Sequence, residues 1–284
     1  MQRCLSRTAG DVTGSNAMEN SVLGASVSSN HGAYEFRILQ AGTLPLQPDG
    51  SVAVGTEHRC TSVLIWPANE RPSRSNTICV DPCFTDEGFR QTAAPVLCQL
   101  GLSVSDLSYC FVTHEHRDHW PKFPTEQPDS LRPLPISPTG AGFPGLSTVP
   151  CPGHSPRLRA LRLRSPENHD VWIVGDAVLN LEWLQAWGYY WPNFYDVAAI
   201  VKTWRSVATT WRSVATILEA DIIMPGHGEP ISVTADLMRQ LLTSFGDAEF
   251  SSVCPEVTKR LEQRLNDLVC RDRPALGRVQ NTSQ

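Results

Sequence analysis

Thr113-His-Glu-His-Arg-Asp-His119 places three histidines and an aspartate within positions 114–119 of a chain that holds eight histidines in all. Such crowding is not compositional. Just before it, Leu107-Ser-Tyr-Cys-Phe-Val112 reads as a short buried strand, β-branched and aromatic, that runs into the cluster. A strand ending in a polar loop sets several short, stiff side chains on one rim of a sheet. Neutral imidazoles with a carboxylate are the ligand set for zinc or a related divalent ion. A solvated charged turn would not need three imidazoles. A helical His-Glu-x-x-His site is excluded, because it would need histidine at position 118, where Asp118 stands.

Three later places repeat one local grammar, in which an apolar run delivers a ligand-type residue beside a glycine. Leu146 to Val149 leads to Pro152-Gly-His-Ser155, Val171-Trp-Ile-Val leads to Gly175-Asp176, and Ile222-Ile-Met-Pro leads to Gly-His227-Gly. Glycine there lets backbone approach closely. Alone, each is an ordinary turn; in this order, behind the first cluster, they point to one site.

In these residues the sequence resembles the metallo-β-lactamase superfamily. His114, His116, Asp118 and His119 match its His-x-His-x-Asp-His motif. His154, Asp176 and His227 match its three later ligands, and Asp81, in Ile78-Cys-Val-Asp-Pro82, matches an aspartate at the end of an early strand. The resemblance runs from about Tyr34 to Glu229. It implies two divalent metal ions, zinc with iron or manganese as alternatives. One would be held by His114, His116 and His154, the other by Asp118, His119 and His227, with Asp176 bridging. Asp81 would steady the ligand loop by hydrogen bonds. The implied fold is α/β, an αβ/βα four-layer sandwich of two mixed sheets with helices outside.

The implied activity is metal-dependent hydrolysis, in which a metal-bound hydroxide attacks an ester, thioester or lactone and Asp118 orients the nucleophile. A phosphodiesterase or nuclease with the same metals, or a non-catalytic metal-binding protein, is the alternative. Zinc β-lactamases of the commonest subclass carry cysteine where Asp176 stands. Glyoxalase II shares the ligands but continues into a larger helical domain than the 57 residues that follow His227 here.

Composition suits a soluble globular protein able to bury a core: 284 residues, 41% hydrophobic, 19% charged, formal charge −5. No basic arm favours nucleic acid, so the expected partner is a small-molecule substrate. Nine cysteines without regular spacing argue against a disulfide framework and for a reducing, cytoplasmic setting. Cys83 and Cys151 read as small buried filler. Residues 1–30, rich in Ser, Asn and Gly, read as a disordered leader whose basic start is at most a weak organellar transit signal; Met18 is an alternative start. No stretch is apolar enough to span a membrane.

The body, 31–233, opens as a strand meander (Tyr34 to Leu39, Ser51 to Val54, Ser62 to Trp66, Thr77 to Val80), then an amphipathic helix over Thr85 to Gly101. Seven prolines between 121 and 144 predict an irregular loop along the rim of the site, with Trp120 and Phe123 read as pocket walls or, more simply, as core. Arg157 to Arg164 alternates cationic and apolar residues, a strand with one wet basic face. His31, His58 and His169 read as non-ligands. The aromatic run from Trp183 to Tyr195 is a pocket wall, a homodimer contact or helix packing. Thr203-Trp-Arg-Ser-Val-Ala-Thr209 recurs unchanged at 210–216 inside a helix read from Asp196 to Glu219. Seven residues are nearly two turns, so the copy keeps its phase, as a tolerated slippage duplication would. Two amphipathic helices, 234–273, then pack on or cap the body, and 274–284 is a tail.

Overall fold

The computed structural model describes residues 32–45, 47, 53, 58–125, 128–135, 143–185, 204–248 and 251–272. The leader, His31, most of 51–54, the aromatics from Trp187 onward, the stretch 196–203 and the tail lie outside them.

Two five-stranded mixed sheets form the centre. The first runs β1 (Tyr34–Gln40), β2 (Ser62–Pro67), β3 (Ile78–Val80), β4 (Tyr109–Phe111), β5 (Arg132–Pro133), and the second, in spatial order, β10 (Ile231–Ser232), β9 (Ile222–Pro225), β8 (Asp170–Gly175), β7 (Arg159–Arg164), β6 (Ser147–Pro150). The period-2 pattern sorts side chains between layers. Val63, Ile65, Ile78 and Val80 meet Leu161, Leu163, Val171, Ile173 and Met224 between the sheets. Their neighbours Leu64, Trp66 and Cys79 face outward onto Phe84, Ala93 and Leu97 of the helical layer. Trp172, Val174 and Ile223 face the opposite way, onto Trp211, Val214, Leu241 and Leu261. Strands covered on both faces explain the unbroken apolar runs of the sequence.

The first helix begins as α1 (Asp86–Gly88), with Thr85 Oγ1 accepting from Gly88 N at 3.0 Å. It passes through a π-turn over Phe89–Ala93 into α2 (Ala94–Gln99). A wide turn there frees a backbone carbonyl ahead of Pro95, which has no N–H to offer it. After α3 (Leu181–Gln185) come α4 (Trp204–Ile217), α5 (Ala235–Gly246, capped by Thr234) and α6 (Pro255–Asp272). Helices α4, α5 and α6 share one core with β7–β9. Among the described residues no helix is long and apolar enough to cross a membrane.

Several local expectations change. The proline-rich stretch holds β5, paired in parallel with β4. Trp120 is not core but 55% exposed, because it leaves the sheet rim with prolines and polar residues around it. Phe123 does pack, 5.4 Å from Phe84. The arginines of β7 do lie on a solvated face, and they are paired there: Arg162 makes a two-point bond to Asp170 (2.8 and 2.7 Å) and lies over Trp172, while Arg159 reaches Thr148 Oγ1 at 2.6 Å.

Parallel pairing decides where the loops emerge. β3 and β4 are parallel, as are β8 and β9, and β6 runs with β8 because both are antiparallel to β7. The carboxyl ends of β6, β8 and β9 therefore share one edge, as do those of β3 and β4. Hydrogen bonds from Thr61 N to Gly226 O (2.6 Å) and Arg159 N to Thr113 O (3.0 Å) join the two sheets at that edge.

The far side of the second sheet is pinned by Arg264 of α6, 8% exposed. It donates to Leu218 O (3.0 Å) and Ala220 O (2.6 Å) at the end of α4, and to Asp221 Oδ1 (3.1 Å) ahead of β9. Arg264→Ala would leave those carbonyls buried without their donor. We expect a loss of about 2–4 kcal/mol of stability, measured by urea unfolding; a change below about 0.5 kcal/mol would mean water replaces the guanidinium.

Candidate metal centre

All seven ligand-type residues singled out in the sequence come together at the shared edge, in two groups that could each hold a metal ion: His114, His116, His154 and Asp176, and Asp118, His119 and His227. Asp176 is buried and divides its two oxygens between them. Oδ2 lies 3.7 Å from His114 Nε2 and 3.3 Å from His154 Nε2. Oδ1 lies 3.0 Å from His119 Nε2 and 3.2 Å from His227 Nε2. Asp118 Oδ2 stands 3.7 Å from His227 Nε2 with its side chain 30% exposed, so it closes the second group on the open side. Gly226 is required next to this carboxylate, because a Cβ there would run into Asp176 Oδ1.

Three of the five imidazoles are turned by a partner on the far nitrogen. His119 Nδ1 meets Asp81 Oδ2 at 2.8 Å, His227 Nδ1 meets Arg59 O at 2.9 Å, and His114 Nδ1 meets Thr113 Oγ1 at 3.0 Å. Their Nε2 atoms are thereby aimed inward. His116 differs and presents Nδ1, 3.0 Å from His114 Nε2 and 2.7 Å from His154 Nε2.

Asp81 also accepts from Thr113 N and Thr113 Oγ1, both at 2.8 Å, so one carboxylate fastens the start and the end of the 113–119 loop. It does so from the left-handed region (φ 46°), where aspartate is tolerated better than most residues. Its own carbonyl accepts from Ser62 Oγ at 2.6 Å.

Three contacts had no signal in the sequence. Glu115, in the middle of His-x-His, accepts from Ser155 Oγ at 2.7 Å, which ties the 113–119 loop to the loop carrying His154. Thr61 Oγ1 donates to Gly228 O at 2.9 Å and so steadies the turn after His227. Cys83 is not buried filler: it is partly exposed, its thiol 3.7 Å from Arg117 O, because it follows Asp81 toward the loop rather than entering a core. Cys151 is buried, and burial pushes its thiol up to about 11. His58 and His169 join neither group.

The electrostatics are those of a carboxylate among imidazoles. Burial alone would raise Asp176, yet the imidazoles of His227, His119 and His154 hold it well below the usual carboxylate range. Burial pulls His119 and His227 down, but the Asp176 carboxylate, joined by Asp81 at His119, raises both. His114 goes the other way, down to about 2, because burial outweighs Asp176 and the neighbouring imidazoles repel a proton there.

The donor set fits divalent ions. Four tetrahedral ligands about 2.0–2.1 Å from zinc lie roughly 3.3–3.4 Å apart. The four distances given above for the first group, 2.7 to 3.7 Å, bracket that value, and all its donor atoms lie within 4.8 Å of one another. Ring nitrogens facing one another this closely converge lone pairs on one point, and only a proton or a cation can sit between them.

No family model and no curated protein matches the sequence. The chain resembles the metallo-β-lactamase superfamily in the order, spacing and strand-end setting of these residues. Among solved structures, a protein of Thermotoga maritima described as a metallo-β-lactamase aligns over 70% of this chain and 99% of its own, at 15% identity and TM-score 0.45. A metallo-β-lactamase of Staphylococcus aureus aligns over 82% and 72%, at 14% and 0.45. A quorum-quenching N-acyl homoserine lactone lactonase aligns over 69% and 92%, at 15% and 0.43. Values this low carry no argument about function, which rests on the site itself.

Asp81→Asn keeps the shape but loses the charge that receives His119 and Thr113. We expect metal affinity to fall about 10–100-fold, the usual cost of an outer partner, measured by competition with a chromogenic chelator. Unchanged affinity would mean that Thr113 and the strand hold the loop without it.

Proposed function

We propose that this chain is a metal-dependent hydrolase whose two groups each hold a divalent ion, zinc first, and whose substrate is an ester, thioester or lactone. One observation carries the reading: a buried carboxylate whose two oxygens are shared between two separate imidazole clusters. A single tetrahedral ion needs four ligands, and seven are gathered here. When bound, such ions bring the pKa of a coordinated water toward neutrality and polarise a carbonyl or phosphoryl oxygen.

The protein supplies position and exclusion. His114, His119, His154, Asp176 and His227 are buried, so water reaches the centre past His116 and Asp118, which are not. The Asp118 carboxylate, part exposed and close to His227, is placed to accept a hydrogen bond from an attacking water and to orient it toward a substrate arriving from that side. Asp81, Thr113 and Arg59 O hold the rings still, so little reorganisation is needed when substrate binds.

A phosphodiesterase would use the same residues and would need a cationic groove. Of the arginines in 157–164, Arg162 is tied to Asp170 and Arg164 to the Asn168 carbonyl, which leaves only Arg157 and Arg159 of that stretch lining the cleft beside His114.

Protein purified without added metal should contain close to two equivalents by elemental analysis. Asp176→Ala should lower occupancy and reduce turnover by more than about 100-fold, beyond the loss typical of outer partners. A panel of thioester, lactone and phosphodiester substrates identifies the bond, and turnover of penicillins should stay well below the usual median of roughly 10 per second. Stoichiometry that stays at one under metal-replete conditions would overturn the shared role of Asp176.

A further inference from the structure

The second copy of the duplicated heptad lies against the loop that carries His154. Thr210 and Ser213, three residues apart, share one face of α4, and both are buried. The adjoining face, with Ala208, Trp211, Val214 and Ala215, enters the helical core, where Trp211 meets Phe245 edge-on at 4.8 Å. A serine within a helix ordinarily turns its hydroxyl back to the carbonyl four residues earlier. Thr216 does so, donating to Arg212 O at 2.9 Å. Ser213 does not: it donates to Pro152 O at 2.6 Å, two residues before His154.

Gly153, between them, has φ +154°, and a Cβ there would lie 2.7 Å from Thr210 Oγ1 and 3.0 Å from Thr210 Cα. Helix α4 and the loop thus touch backbone to side chain with no room for a methyl group. The ends of the loop are closed by Cys151 N donating to Leu158 O at 2.9 Å, but the turn around His154 is held more loosely. Its turn bonds Gly153 N to Ser155 O and Leu158 N to Ser155 O are both 3.4 Å long, and Pro152 has no N–H to give. His154 nevertheless has to keep Nε2 within 2.7 Å of His116 Nδ1 and 3.3 Å of Asp176 Oδ2.

We infer that Ser213, with Thr210 beside it, is a positioning residue that sets the Pro152–His154 turn and through it the first ligand group. This rests on the metal-centre reading above. The duplication adds a consequence. Removing 210–216 would bring the identical 203–209 segment directly ahead of Ile217, so that Ser206 takes the register position of Ser213. The repeat is then tolerated not because α4 is remote from the site but because either copy can face it.

The test is cobalt or zinc titration of the purified full chain, followed by visible absorption of the cobalt form and by competition with a chelator. Ser213→Ala should weaken one of two equivalents by about fivefold, the worth of a typical hydrogen bond, and alter the cobalt absorption of that site alone. The chain lacking 210–216 should bind both equivalents as the full chain does. The same shortened chain carrying Ser206→Ala should reproduce the Ser213→Ala weakening. Gly153→Ala, made from the loop side, should weaken the same equivalent and keeps the test decisive if a helix variant does not fold. Variants that lose thermal stability yet keep both affinities and the cobalt spectrum would overturn the inference and leave the metal centre standing. A parent protein that takes up neither equivalent would overturn both.

Discussion

A carboxylate buried among four imidazoles is costly unless each of its neighbours is held in place, and much of this molecule serves that one requirement. Asp176 sits 4% exposed with nitrogen on every side. A lone ionised carboxylate at that depth would take up a proton or pull in water. Here it stays ionised because rings delivered by three other strand ends point at it. Two sheets, each with parallel strands at its centre, are what bring β3, β4, β6, β8 and β9 to a common edge, and the four-layer packing keeps that edge in register.

The rings in turn depend on partners drawn from the opposite sheet. His227, after β9 in the second sheet, is aimed by the carbonyl of Arg59, just before β2 in the first. The 113–119 loop, after β4, is tied to the His154 loop by Glu115 and Ser155. Asp81 and Thr113 act within the first sheet, Asp81 across adjacent parallel strands and Thr113 on the neighbouring His114. Sliding one sheet against the other would therefore break both ligand groups at once. Such coupling suits a site that must be rigid before its substrate arrives.

The duplicated heptad shows how a helix can be lengthened beneath a site without disturbing it. Seven residues advance a helix by nearly two turns, about 10 Å, with a drift of about 20°. The residues next to β9 keep their phase, and the added length goes to the other end. An insertion of five or six residues between Ser213 and β9 would instead rotate Trp211 and Ser213 out of the core and away from Pro152.

Read alone, the sequence already contains the strands, their alternation and the order in which ligand-type residues follow them, because those signals lie within a few adjacent positions. Val63 to Trp66 and Val171 to Val174 announce two-sided burial, and the glycines beside Asp176 and His227 announce close backbone approach. Only the tertiary structure decides which oxygen of Asp176 faces which ring, that His116 turns Nδ1 inward, and that Trp120 and Cys83 stay outside the core. It alone reveals β5 and β10, two-residue strands that exist because a neighbouring edge is there to pair with. The same holds for Glu115, Thr61 and Ser213, whose partners lie 40, 167 and 61 positions away. A hydroxyl or carboxylate at such positions carries no local pattern, since its role is defined by a backbone carbonyl or hydroxyl that folding alone brings within reach.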